Sequence, residues 1–234
     1  MICALCKQDK VLQNSHVIPE FMYTPLYDDK HRFHVLSSKG SKSRSQEQKG
    51  LREKLLCIDC ETQLSEHERY VSLVFTGREE ITSERNGNLV IIRGLNYSHF
   101  KLFGLSILWR AGVSKQQFFE KVALGLHEEK LREIVFTNNP GKPDEYGFFL
   151  APLVDNDRDI KDLMVQPTHS RLEGHLCYRF VFGGLVWVFI VSSHQPPEIF
   201  RQAFINSSGE MLMLVSELRD MQFILRGMKA IEVL

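Results

Sequence analysis

The sequence predicts an α+β protein in three parts: a zinc-stapled module over 1–78, a helical region over 79–140 and a mixed α+β region over 141–234. Three observations lead there. Two C-x-x-C pairs, Cys3/Cys6 and Cys57/Cys60, bracket the first part. Apolar residues recur at helical spacing through the middle, and from residue 148 onward β-branched and aromatic runs alternate with turn signals.

The elements follow in order. C-x-x-C spacing lets one turn aim both sulfurs inward, and two such pairs complete the closed tetrahedral shell of a structural zinc site. Residues 14–21 form a short strand-like piece ended by Pro19. Residues 22–50 are polar, without helical or strand period, which predicts a long functional loop. From Glu61 a helix is expected, with Leu64, Val71 and Phe75 on one face and Gly77 as its terminator. Residues 89–93 read as a strand and 97–112 as a mostly buried helix. Ser114 is placed to cap a helix over 115–124, and 128–136 gives a third, with Leu131, Ile134 and Val135 inward.

After the linker at 138–143 the pattern changes. Residues 148–154, 163–166, 175–182, 185–191 and 210–215 are β-rich, and Gly183-Gly184 signals a hairpin between two of them. Residues 199–204 and 217–234 are expected to be a short and a long helix. Trp109 and Trp187 fall in periodic apolar runs and are expected in the core, as is the isolated Cys177. His169, His175 and His194 lack metal-ligand spacing.

Composition narrows the function. With 29 Lys and Arg against 29 Asp and Glu, the chain is not a uniformly basic nucleic-acid coat. The most apolar stretch, 177–191, is broken by Arg179 and the glycine pair and is too short to span a membrane. No export leader is expected. Five cysteines, four of them in metal-type pairs, suit a reducing cytoplasm better than a disulfide scaffold. One stretch does carry charge. Residues 30–54 hold eight Lys and Arg against two Glu, an excess of six, with His31 and His34 adding to it near neutrality. Lys39, Lys42, Arg44, Lys49, Arg52 and Lys54 are therefore the expected contacts to a nucleic-acid backbone, without base-specific readout.

Between the cysteine pairs stands Ser15-His16-Val17-Ile18-Pro19, and Glu61 follows Cys60 directly. A neutral imidazole on such a strand can take a proton from water. This arrangement over residues 1–75 resembles HNH endonucleases of the ββα-metal, treble-clef class. Its departures resemble a bacterial subgroup with SHxIPxF and LLCxxCExxLSxxE signatures, whose members also carry a helix like 103–110. The resemblance implies a zinc-stapled ββα module that cleaves DNA. In it His16 would act as general base, and Glu61 would bind a catalytic Mg²⁺ or Mn²⁺ together with His16. Glu68, seven residues on along the same helix face, is a further candidate ligand, whereas His67 is expected to be structural. Three positions depart from the family pattern. Ser15 replaces the usual acid and Glu61 the usual His, while Arg52 and Glu53 stand where the orienting Asn would fall, with Gln48 as a possible substitute. A role in bacterial defence would follow by analogy. The alternatives are a non-catalytic, zinc-dependent nucleic-acid-binding module and an effector that needs a protein partner or self-association through its C-terminal region.

Overall fold

The computed structural model describes residues 1–30, 32–36, 44–47 and 50–225. In chain order the first part contains β1 (Leu12–His16), β2 (Phe33–Leu36), β3 (Arg44–Glu47), β4 (Arg52–Cys57) and α1 (Ile58–Phe75). The middle contains β5 (Thr82–Asn86), β6 (Leu89–Arg93), α2 (Tyr97–Val113) and α3 (His127–Phe136). The last part contains β7 (Phe148–Asp155), β8 (Arg158–Asp159), β9 (Val165–Leu172), β10 (His175–Phe182), β11 (Leu185–Val191), α4 (Glu198–Arg201), β12 (Met211–Leu214) and β13 (Ser216–Glu217).

Antiparallel β1 and β4, followed by α1, form a ββα unit. Its strands show where the first knuckle must sit: Leu12 lies opposite Cys57, so the chain before β1 reaches the start of α1. α1 starts at Cys57 in extended backbone and stops just before Gly77, whose φ of +68° suits a residue without a Cβ. The stretch expected to be irregular carries the short hairpin β2–β3 and two 3₁₀ turns.

α2 is the centre of the molecule. Nearly every residue from Phe100 to Ala111 is buried, as an apolar-all-round helix must be. One side packs on α1 and α3, and the other meets the large sheet. There Phe100 stacks on Trp187 at 6.0 Å and Gly104 lies against the Phe148 ring. That sheet runs β13-β7-β11-β10-β9, with β8 on β7. The expected Gly183-Gly184 turn joins β10 to β11, both glycines at positive φ. A second sheet, β12-β6-β5, joins the middle of the chain to its last part. A single apolar core runs from Cys3 through Trp109 to Trp187 and Met213. A smaller one lies on the far face of the large sheet, around Cys177, Val186 and Phe204.

Several expectations are corrected. Residues 115–124 hold one 3₁₀ turn, Gln117–Phe119, in place of a helix. Ser114 instead donates to Glu53 Oε2 at 2.8 Å, which ties this turn to β4. Residues 217–220 finish β13 and form a 3₁₀ turn, Leu218–Asp220, so helix begins later than expected, over 222–225. Residues 226–234 of that expected helix lie outside the described residues. β5 was not expected: all five of its residues are exposed and polar, so they carry no apolar alternation.

Candidate functional site

The four paired cysteines come together. The Sγ atoms of Cys3, Cys6, Cys57 and Cys60 all lie within 4.8 Å of one another, and none is in a disulfide. Local structure explains the convergence. Lys7, at a φ of +59°, turns the first knuckle back on itself, and Ile2 bridges Asp9 across it. Ala4 N donates to Leu55 O, which docks the knuckle on β4. The second pair spans the N-terminus of α1, whose dipole favours thiolates. Four such thiols so close together can hold a zinc ion.

The electrostatics fit a cation. Burial raises the Cys3 thiol, but hydrogen bonds from backbone N–H groups outweigh it, leaving Cys3 at about 7. Burial pushes Cys60 strongly up, and its neighbouring thiols add to this. Thiolates this close repel one another, so ionising all four requires a positive ion among them. Arg132 on α3 donates to Leu5 O at 2.6 Å, so the middle of the chain also braces the knuckle.

His16, at the end of β1, is four-fifths buried in its side chain. Its Nε2 lies 2.6 Å from Glu20 Oε2 and 2.7 Å from Arg52 Nε. One ring nitrogen cannot donate to the first and accept from the second. The carboxylate contact is the shorter of two charge-assisted contacts; taking it as the hydrogen bond gives the Nε2–H tautomer and leaves the lone pair on Nδ1. Nδ1 has no hydrogen-bond partner among the described residues. Glu20 also accepts from Tyr27 Oη at 2.5 Å, from Gly50 N at 3.2 Å and from Arg52 Nη2 at 3.3 Å. Burial opposes its ionisation, but these bonds hold Glu20 below the usual carboxylate range. Burial, then the Arg52 charge, hold His16 below the usual histidine range, against the pull of Glu20. His16 is thus neutral near pH 7.

The other expected residues fall elsewhere. Glu68 forms an ion pair with Arg110 at 2.8 Å, and the same Arg110 Nη1 donates to His16 O. Glu68 is therefore linked to the strand of His16 through a buried guanidinium. Glu61 Oε1 is buried with no hydrogen-bond partner. Beyond the cysteines, no group of three or more His, Cys, Asp or Glu ligands lies as close among the described residues. Ser15 points the opposite way from His16, and its buried Oγ accepts from Leu56 N at 3.1 Å. His67 is buried, with Nε2 bonded to Asn138 Oδ1 and Nδ1 to His99.

Of the expected backbone contacts, Lys54 reaches Leu12 O, and Arg52 turns to His16 and Glu20. Arg44 lies on β3. Lys39, Lys42, Lys49, Gln48 and His31 lie outside the described residues. Glu20, Tyr27 and Arg110 were missed as site residues. Glu20 had a weak signal, since it stands four positions after His16 on a chain reversing at Pro19. Arg110 had none, because its contact spans 94 residues of sequence.

No protein-family model, curated protein or solved structure matches this chain. What can be said directly is that it is a mixed α+β protein with a four-cysteine cluster able to hold zinc. No helix among the described residues is long and apolar enough to cross a membrane.

Proposed function

We propose that the N-terminal ββα unit is an HNH-type phosphodiester hydrolase acting on DNA, with His16 as general base and a zinc ion as structural staple. The carrying observation is the state of His16. It is neutral, fixed through Nε2 by Glu20 and beside the Arg52 guanidinium, with Nδ1 left to take a proton. In this mechanism Nδ1 accepts the proton of a water whose oxygen bonds to phosphorus. The P–O bond to the leaving sugar oxygen then breaks, and solvent returns a proton to that oxygen. Arg52 supplies positive charge where the phosphate would lie. A basic stretch over 30–54 adds non-specific attraction for the backbone.

The divalent ion expected of this class does not fit the ligand set assigned to it. Glu68 is engaged by Arg110 and His16 by Glu20 and Arg52, which leaves Glu61 without companions. That observation favours a second reading, a zinc-held module that binds nucleic acid without cutting it. A defence role rests on analogy alone.

Incubating purified protein with plasmid DNA, with and without Mg²⁺ or Mn²⁺, separates the two. Cleavage is expected from wild type and its loss, with DNA binding kept, from His16→Ala. DNA binding without cleavage under every metal condition selects the second reading.

A further inference from the structure

The far face of the large sheet holds a cavity of about 540 Å³, roofed by α4 and the 3₁₀ turn after β13. That volume lies in the range of small-molecule sites, about 300–1,000 Å³. Its walls are mainly apolar, including Phe149, Val186, Val188, Phe200 and Leu212. One cation stands among them. Arg179, on β10 between Val188 of β11 and Thr168 of β9, lays its guanidinium over the Phe223 ring at 4.3 Å. Its Nε is buried without a hydrogen bond, and Arg179 forms no ion pair with any described residue. Burial holds it below the usual arginine range. Directly paired residues of antiparallel strands share a face. Thr168 Oγ1, next to Arg179, is likewise buried and unbonded. Asp220 also borders the cavity but is not paired with Arg179.

A guanidinium half-withdrawn from water, with its Nε and a neighbouring hydroxyl both buried and unbonded, is more stable with an anion against it. An apolar surround with one unpaired cation is complementary to an apolar molecule with a single anionic head. We propose that this cavity binds a small amphipathic carboxylate, its head on Arg179 and its chain along Val186, Val188 and Phe149. This site is independent of the His16 reading and stands or falls without it.

Titration calorimetry of the full chain with decanoate, with decanol as the uncharged control, tests it. Saturable binding of decanoate at one site is expected, with decanol at least tenfold weaker. Arg179→Met should erase that preference while its far-UV circular dichroism matches wild type. Three results would overturn the proposal. One is no saturable decanoate binding. Another is equal binding by Arg179→Met. The third is equal binding of decanol and decanoate by wild type.

Discussion

At the residue scale Glu20 and His16 meet at 2.6 Å, and a short carboxylate contact both orients an imidazole and raises its affinity for protons. Here that pull is smaller than burial and the Arg52 charge, so the ring remains a neutral base. Replacing Glu20 by Gln removes the pull and keeps the shape. NMR titration of the His16 ring should show its pKa fall further and its tautomers mix. A tautomer with the proton on Nδ1 in wild type would mean that Arg52, not Glu20, holds Nε2. At this scale the sequence was informative where one residue's chemistry sufficed. His16 stands on a strand as expected, and the cysteines meet. What Ser15 does in place of the family's usual acid was not legible, because its partner lies 41 residues away on β4. Its hydroxyl serves Leu56 N instead of the site.

Helix α2 decides how the parts fit together at the scale of elements. Its Gly104 allows the helix to approach β7 so closely that an added Cβ would lie 2.7 Å from the Phe148 ring. Ala is the better helix former by about 1 kcal/mol. Crowding a packed aromatic costs roughly 1–3 kcal/mol, so the clash outweighs the propensity. Gly104→Ala should therefore lower the midpoint of denaturant unfolding. A raised midpoint would mean that Phe148 moves aside freely. α3 was legible from its apolar period, and α2, β6, β10 and β11 from apolar runs bounded by turn signals. The helix expected over 115–124 was not, since Phe119, Val122 and Leu124 are buried at its spacing yet packed from a turn. β5 offered no pattern because its side chains face solvent and its pairing with β6 alone makes it a strand.

For the whole molecule, the three stretches share one core, and Arg110 joins α2, α1 and the strand of His16 through buried bonds. That link was beyond sequence reasoning, which sees neighbours along the chain and not across 94 residues. Acid sensitivity follows from the same burial. His16 and His67 are both held below the usual histidine value, with burial the largest cause, so the unfolded chain binds protons more readily. Stability from these groups is full above about pH 6.5 and declines as pH falls below it. Urea melts across that window should show the decline, with a shallower slope in His16→Asn. An equal slope in that variant would contradict the assigned state of His16.

The cysteine cluster holds β1, β4 and α1 together in this account, and metal content measures that claim most directly. Purified protein is predicted to carry one zinc per chain, and Cys57→Ser to lose it together with the proteolytic protection of the N-terminal part. Structural zinc contributes on the order of 10 kcal/mol in small modules, so the loss should be complete and not partial. A chain that carries no zinc and is equally protected, or a Cys57→Ser variant indistinguishable from wild type, would contradict it.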